Sequence, residues 1–249
     1  MAPTQAATEV VLYDLANIKN ECFSPVVWRI RMMLNYKNIP YKTVFLEFPD
    51  IEPKLKELGI DFGVDKSGVQ KKYTVPVIHY LPTGEYIIDS TPISQFLEST
   101  YPEPSVPLQS DLGTKIEAQG RAVIGTLLGT AVTPREPNVL SPRAAEFFRR
   151  TREAAFGVKH LDELLEGDKE ERAWATASAG MKAVGEMLKT NQKDGPFVLG
   201  AKPSYTDFFV AGSLQAARVV DEGVFQKIVA VPGFGEVYEA CQPFMVKRD

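Results

Sequence analysis

Histidine and cysteine are scarce in this sequence of 249 residues, which contains two of each. The histidines are His79 and His160, and the cysteines are Cys22 and Cys241. Two cysteines do not make a disulfide framework and are typical of a reducing compartment, so we expect a cytoplasmic protein. A structural zinc site needs several closely spaced ligands of these two types, so we expect no metal site.

A cluster of positive charge and a long apolar run are also missing. The formal net charge is −4 and no basic cluster occurs, so we expect no nucleic acid partner. The longest uncharged stretch with a helical pattern, residues 122–134, is too short to span a bilayer, so we expect no membrane partner. The chain has no G-x-S-x-G motif, which weakens a serine-hydrolase interpretation.

The first part of the chain alternates strand and helix patterns. Apolar and β-branched runs predict strands, and capped segments with helical spacing predict helices. The pattern predicts strands at 9–15, 41–48, 74–81 and 85–89, and helices at 24–37, 51–58 and 90–99. The first helix joins two strands, which such a β-α-β unit pairs in parallel. We therefore predict an α/β domain, β-α-β-α-β-β-α, over residues 1–100.

Residues 101–107 contain three prolines and predict a linker. From residue 108 to 249 the pattern is helical throughout, so we predict a second, all-helical domain there. Each predicted helix has one apolar stripe. The stripes are Leu112, Ile116, Val123 and Leu127; then Phe147, Ala154, Val158, Leu161 and Leu165, after a start at Ser141-Pro142; then Trp174, Ala177, Met181, Val184 and Leu188.

Ser24 stands where the first strand is followed by a helix. It suits an N-cap, and Pro25 suits the first helical position. The free amides and the positive dipole end of that helix favour a bound anion, to which a hydroxyl can donate. These residues alone leave two interpretations open, because Ser24 could cap the helix and nothing more.

Two further features have the chemistry of a ligand site. A proline at the start of a strand, as at Val75-Pro76, removes a ladder donor. If its peptide bond is cis, the preceding residue is turned so that its N–H and C=O can face a ligand. Asp89-Ser90, where the fourth strand meets a helix, can bind both charges of an amino acid: the Asp89 carboxylate takes an ammonium, and the amides take a carboxylate.

Several separated motifs together resemble the glutathione transferase family. They are the run from Ser24 to Arg31, Pro49-Asp50-Ile51, Tyr73-Thr74-Val75-Pro76, Asp89-Ser90, and Ser204-x-x-Asp207, which matches the family's capping box. The resemblance implies a thioredoxin-like N-terminal domain followed by an all-helical domain. Within the family, the sequence is similar to the fungal glutathione transferases related to bacterial β-etherases, which favour a catalytic serine.

The resemblance implies roles for the residues that match these motifs. Ser24 donates a hydrogen bond to the glutathione sulfur. Thr74, Val75 and Pro76 belong to the glutathione site, where Val75 pairs with the backbone of the cysteinyl residue. The site needs no histidine as a general base, because helix dipole and hydroxyl together suffice. Lowering a thiol pKa by about two units takes about 2.7 kcal/mol, and these two interactions supply up to ~2 and ~1.5–3 kcal/mol.

The two ends of glutathione are assigned by the same resemblance. Asp89 and Ser90 hold the γ-glutamyl end, and a lysine near the second helix, Lys54 or Lys56, meets the glycine carboxylate. The motif does not choose between the two lysines. The sequence departs from a simple match at residues 59–68, which lengthen the segment before the third strand and predict an exposed loop.

The resemblance implies a detoxifying, homodimeric enzyme with glutathione as co-substrate. It would conjugate glutathione to hydrophobic aromatic electrophiles, or use glutathione to cleave aryl ethers. Two alternatives stay open. The protein could be a non-catalytic carrier of aromatic compounds. It could also be a thiol transferase that acts through Cys22, if that side chain reaches the helix amides.

Overall fold

The computed structural model describes residues 8–246; residues 1–7 and 247–249, which the two predicted domains include, lie outside the described residues. The first part forms a four-stranded sheet in the order β2-β1-β3-β4, with helices between the strands. The predicted order β-α-β-α-β-β-α is confirmed. The elements are β1 Val10–Leu15, α1 Pro25–Tyr36, β2 Tyr41–Leu46, α2 Ile51–Glu57, β3 Val77–Tyr80, β4 Glu85–Ile88 and α3 Ser90–Thr100.

The strand register determines which loops meet. β1 and β2 are parallel, with Leu15 opposite Leu46. β1 and β3 are antiparallel, with Tyr13 opposite Val77, and Val77 also lies opposite Ile88 of the antiparallel β4. The carboxyl ends of β1, β2 and β4 therefore lie at the same edge of the sheet as the start of β3.

All four strands are shorter than the sequence pattern predicts, and two of them differ by two or three residues at one end. β2 ends at Leu46 instead of residue 48, and Phe48–Asp50 forms a 3₁₀ turn. β3 begins at Val77 instead of residue 74. Both differences lie beside a proline, Pro49 or Pro76, which has no N–H to donate to a strand ladder. The segment 74–76 is therefore loop.

The second part of the chain is helical. Its helices are α4 Asp111–Ala131, α5 Pro142–Phe156, α6 Lys169–Leu188, α7 Tyr205–Val220, α8 Glu222–Val229 and α9 Phe234–Cys241, with 3₁₀ segments Thr133–Val139, Leu161–Leu165 and Gln242–Met245. The stripes predicted for α4 and α6 lie on single helices. The stripe predicted for α5 is wrong beyond Phe156, because Gly157 ends that helix in the left-handed conformation at φ 67°.

Helix α7 is buried along nearly its whole length and packs against α1. Gly212 makes the close approach possible. A Cβ at that position would lie 2.9 Å from the carbonyl oxygen of Pro25 and 3.0 Å from the Cβ of Trp28. The helical domain is thus in direct backbone contact with the first turn of α1, the helix that Ser24 caps.

A buried ion pair links the sheet to α1. Oδ2 of Asp14 on β1 lies 2.9 Å from Nη2 of Arg31, and both side chains are 0% exposed. The other carboxylate oxygen of Asp14 accepts the amide of Leu15 at 2.6 Å. Burial raises the pKa of Asp14, and the positive charge of Arg31 opposes that increase. Each charge is therefore tolerated in the core because the other is present.

The predicted capping box of α7 is present. Oδ2 of Asp207 accepts both the amide (2.8 Å) and the hydroxyl (2.6 Å) of Ser204. Oδ1 of the same carboxylate accepts the amide of Val198 at 2.8 Å. Asp207 is fully buried, so it fixes the start of α7 and the preceding loop together.

We expect Asp207→Ala to lower the free energy of unfolding by roughly 2–4 kcal/mol, because it leaves buried donors without partners. Chemical denaturation of both proteins measures the difference. Ser204→Ala is the matched control, since it removes the hydroxyl but leaves Asp207 bonded to the amides of Ser204 and Val198, and it should cost about 1 kcal/mol. A normal unfolding midpoint in Asp207→Ala, with turnover lost, would contradict the structural role.

Candidate functional site

The predicted site residues come together at one edge of the sheet. Ser24 follows β1, Val75 precedes β3, Asp89 follows β4, and α2 with Lys54 and Lys56 follows β2. The register described above places these four strand ends side by side. Residues far apart in sequence therefore surround one position at the N-terminus of α1.

Ser24 is the N-cap of α1 and is 5% exposed. Its Oγ accepts the amide of Val27 at 3.3 Å, and its carbonyl accepts the amide of Trp28 at 3.0 Å. The indole of Trp28 donates to the carbonyl of Cys22 at 2.8 Å and holds the preceding loop. Since Oγ acts as an acceptor in the cap, its proton stays available for donation to an anion.

The peptide bond between Val75 and Pro76 is cis. Among the described residues, the N–H and C=O of Val75 have no backbone partner. The carbonyl of Pro76 accepts the amide of Asp89 at 3.3 Å, which ties the segment before β3 to the start of α3. Val75 therefore presents an unpaired backbone edge next to Asp89, as a strand-like ligand would require.

Asp89 occupies the N-cap position of α3 but does not cap it with its side chain. Its backbone lies at φ 69° and ψ 144°, a conformation that costs of order 1–3 kcal/mol for a residue other than glycine. The carboxylate is exposed. The next residue, Ser90, is half-buried, and its carbonyl accepts the hydroxyl of Tyr205 at 3.4 Å. The Asp89 carboxylate is therefore not used to cap α3 and is accessible to a ligand.

The two candidate lysines each pair with a glutamate of their own helix. Nζ of Lys54 lies 3.1 Å from Glu57, and Nζ of Lys56 lies 2.7 Å from Glu52. Lys56 also lies 5.4 Å from the ring centre of Tyr73, in the segment that leads to Val75. Exposed pairs of this kind contribute about 0–1 kcal/mol, so either lysine can be redirected to a stronger anion.

Ser24 opens onto a cavity of about 260 Å³ between the two domains. This interdomain cavity is lined mainly by apolar side chains. The residues are Leu15, Phe23, Ser24, Pro25 and Phe48 from the first domain, and Leu128, Val132, Glu136, Arg152, Ala216, Ala217 and Val220 from the helical domain. A mostly apolar cavity beside a candidate hydrogen-bond donor has the character of a small-molecule site.

Glu136 and Arg152 are the charged members of this lining, and the sequence analysis did not single them out. Glu136 lies in the 3₁₀ segment Thr133–Val139, which has no helical periodicity to indicate a buried face. Removal from water raises the pKa of Glu136 to about 7, while the charge of Arg152 opposes that increase. One sequence feature could have indicated Glu136: it is a glutamate in a short segment between two prolines, Pro134 and Pro137.

Two family models match the chain. One is described as the N-terminal domain of glutathione S-transferase and covers residues 23–100, and the other is described as its C-terminal domain and covers residues 116–232. A relative, the glutathione S-transferase-like protein ustS of Aspergillus flavus, is 34% identical over 233 residues, covering 87% of this chain and 82% of that protein. The chain belongs to the glutathione S-transferase family.

Solved structures of this family share the whole fold. The glutathione S-transferase CsGST63524 of Ceriporiopsis subvermispora, in complex with glutathione, matches with a TM-score of 0.84 and 29% identity, over 97% of this chain and 99% of that one. A second protein of that organism, CsGST83044, also in complex with glutathione, matches with a TM-score of 0.81 and 27% identity, over 95% and 98%. The predicted family and fold class are confirmed.

Cys22 of this protein is 0% exposed. Its thiol hydrogen-bonds to the carboxylate of Asp14. Reactive cysteines are partly accessible and lie in electropositive surroundings, whereas Cys22 is fully buried against the Asp14–Arg31 ion pair, whose charges compensate each other. The geometry therefore argues against a thiol transferase that acts through Cys22.

A larger cavity of this protein, about 540 Å³, does not include Ser24 in its lining. It is bordered by α3, α4 and the start of α7, through residues such as Thr91, Glu117, Arg121 and Tyr205. Its lining contains neither Ser24 nor a cysteine or histidine. Although it is larger, it therefore offers no group suited to activating a thiol.

Neither a metal cluster nor a membrane-spanning helix is found in residues 8–246. Over that range, no group of three or more His, Cys, Asp or Glu side chains is arranged to hold a metal ion. Over the same range, no helix combines the length and the apolar character needed to cross a bilayer.

Proposed function

We propose that this protein is a glutathione transferase in which Ser24 activates the glutathione sulfur. One observation carries the proposal: Ser24 caps α1, is almost fully buried, and lines a cavity shared by the two domains. A thiol bound there meets the helix N-terminus on one side and the second substrate on the other. The glutathione-bound relatives support glutathione as the co-substrate.

The activation follows from hydrogen bonding and the helix dipole. The hydroxyl of Ser24 accepts from Val27, so its proton is free to donate to a thiolate. A hydrogen bond to a charged acceptor contributes ~1.5–3 kcal/mol, and a favourably placed helix N-terminus up to ~2 kcal/mol. Their sum is enough to lower the thiol pKa by about two units, since each unit corresponds to about 1.36 kcal/mol. The thiolate then attacks the electrophile directly, without a general base.

The surrounding residues would orient glutathione. The free backbone edge of Val75 pairs with the cysteinyl residue, and Thr74 and Pro76 border it. The carboxylate of Asp89 binds the ammonium of the γ-glutamyl end, while the backbone amides at Ser90 bind its carboxylate. At the other end, Lys54 or Lys56 meets the glycine carboxylate after releasing its own glutamate. Lys56 is favoured because it lies against Tyr73.

The second substrate would occupy the interdomain cavity. The ring of Phe48 and the aliphatic side chains around it favour an aromatic compound, which we propose is conjugated to glutathione or cleaved by it at an aryl ether. We further propose that the protein belongs with the fungal transferases related to bacterial β-etherases, and that it is a cytoplasmic, detoxifying homodimer. The class assignment is supported by the motifs around Ser24, Pro49 and Val75, detoxification and the homodimer by the family resemblance, and the cytoplasmic location by the scarcity of cysteine.

Binding and turnover are tested separately. Retention on immobilised glutathione tests the glutathione site, and a panel of aryl halides, epoxides and aryl ethers tests catalysis. We expect retention together with turnover of at least one acceptor. Retention without turnover would favour a carrier of aromatic compounds. Failure to bind glutathione would reject the transferase function.

We expect Asp89→Asn to weaken glutathione binding about 10- to 100-fold, because a charge-assisted contact contributes roughly 1.5–3 kcal/mol. Asparagine keeps the shape of the side chain and tolerates positive φ, so the change is one of charge. Titration calorimetry measures the Kd. Asp168→Asn, at an exposed position on the helical domain, is the control and should bind as the unmodified protein does. Unchanged affinity in Asp89→Asn would remove Asp89 from the site.

A further inference from the structure

In the part of the chain that the structure describes, the charged pair in the interdomain cavity has no hydrogen-bond or ion-pair partner. Among the described residues, the carboxyl of Glu136 and the guanidinium of Arg152 make no side-chain hydrogen bond or ion pair, and they influence each other only through space. Arg152 is held by its packing over the ring of Phe148, 5.0 Å from the ring centre. Two unpaired polar groups in an apolar lining are available to a ligand.

The segment that carries Glu136 is firmly positioned. Its neighbour Arg135 pairs with Glu170 at 2.9 Å and with Asp221 at 3.1 Å, and these contacts anchor the segment to α6 and to the start of α8. Prolines stand on both sides, at positions 134 and 137. Arg135 therefore fixes the backbone while its charge is neutralised elsewhere, and Glu136 is left facing the cavity that Ser24 also lines.

We propose that Glu136 is a proton donor for the second substrate, and that this substrate is an electrophile whose carbon–oxygen bond breaks, an epoxide or an aryl ether. The inference rests on the proposed transferase function. The glutathione thiolate attacks carbon, so a carbon–sulfur bond forms and the electron pair of the carbon–oxygen bond moves to oxygen. The carboxyl of Glu136 gives its proton to that oxygen, Arg152 stabilises the charge that develops there, and water reprotonates the half-buried carboxylate.

The surroundings of Glu136 keep a proton available near neutral pH. Its pKa is about 7, since burial disfavours the carboxylate more than Arg152 on α5 favours it. From the segment Leu161–Leu165, Asp162 pairs with Arg149 and Glu163 caps its own turn. Helices α4 and α7 contribute only apolar side chains to the described lining. The carboxyl of Glu136 therefore holds its proton below about pH 7 and releases it at higher pH.

The test compares two acceptors on the full chain. Opening of styrene oxide needs a proton on oxygen, whereas displacement of chloride from chlorodinitrobenzene does not. At pH 6 we expect Glu136→Gln to lower the ratio of kcat/KM for the epoxide to that for the halide at least about tenfold, because glutamine donates a hydrogen bond but no proton. Glu146→Gln, at an exposed site on α5, is the matched control and should keep the ratio. Halide turnover reports that each variant is folded.

A second variant tests the pH dependence. Arg152→Gln removes the charge that lowers the pKa of Glu136, so the alkaline limb of the epoxide pH profile should move to higher pH. In Glu136→Gln that limb should disappear. An unchanged ratio in Glu136→Gln, an alkaline limb that stays in place in Arg152→Gln, or an unmodified protein that conjugates the halide but not the epoxide would overturn the proposal. Turnover of neither acceptor would instead reject the transferase function.

Discussion

Ser24→Ala should lower kcat/KM for glutathione conjugation about 10- to 100-fold. The variant loses the hydroxyl that donates to the thiolate, a contribution of about 1.5–3 kcal/mol. It also loses the cap on the amide of Val27, which should lower the free energy of unfolding by about 0.5–2 kcal/mol, while Pro25 stays at the first helical position. Turnover of chlorodinitrobenzene as a function of pH measures the effect. The pH at which the rate is half-maximal should move upward, because a less stabilised thiolate forms at higher pH.

Ser24→Cys tests whether Ser24 contacts the glutathione sulfur or only caps α1. A thiol at that position is deprotonated by the same amides and competes as a nucleophile, so this variant should lose conjugation and gain reduction of a glutathione mixed disulfide. Cys22→Ser is the control and should leave conjugation nearly intact. If Ser24→Ala conjugates at the parental rate, or Ser24→Cys shows no thiol transfer, Ser24 does not contact the sulfur.

Asp14→Leu should lower the free energy of unfolding by about 3–5 kcal/mol. It leaves the guanidinium of Arg31 buried without its carboxylate, and an uncompensated buried charge is among the costliest defects in a core. Urea denaturation at pH 7 measures the change. The double variant Asp14→Leu/Arg31→Met buries no charge and should recover most of the lost stability. Equal losses in the single and double variants would contradict this account.

The same pair predicts a pH dependence with a definite sign. In Arg31→Met, Asp14 keeps its burial and loses the charge that lowers its pKa, so its folded-state pKa rises further. The folded variant then holds a proton that the unfolded chain releases near ~3.9. Its stability is therefore greatest below that pH and falls as pH rises toward the folded pKa. Melting temperatures from pH 4 to 8 check this. A flat profile would show that Asp14 stays ionised without Arg31.

Local signals in the sequence predict much of the fold and the candidate site. Ser24-Pro25 predicts the start of α1 because cap and first-turn preferences act within a few residues. Ser204 and Asp207 predict the start of α7 for the same reason. Pro76 and Asp89 are found at the predicted junctions. Their roles toward glutathione stay predictions, because these depend on a ligand and not on a local pattern.

Long-range electrostatics and irregular segments were not predicted. Asp14 lies within an apolar run, and only the packing of α1 on β1 explains why a charge is tolerated there. Glu136 lies in a 3₁₀ segment whose residues follow no period, so nothing in the sequence places it at a cavity. The end of α5 was misplaced because an apolar spacing continued past Gly157, whose left-handed backbone the spacing does not reveal.

Gly212 of α7 cannot be replaced by a larger residue, whereas other positions around the interdomain cavity can be. Any side chain at that position would push against the carbonyl of Pro25 and displace Ser24 together with its helix. Leu128 and Val132 face the same cavity from α4 and its end, away from that contact. Substitutions at these two positions should therefore change the shape of the interdomain cavity without moving Ser24 and the start of α1. They are the positions at which a chemist would redesign the range of acceptors.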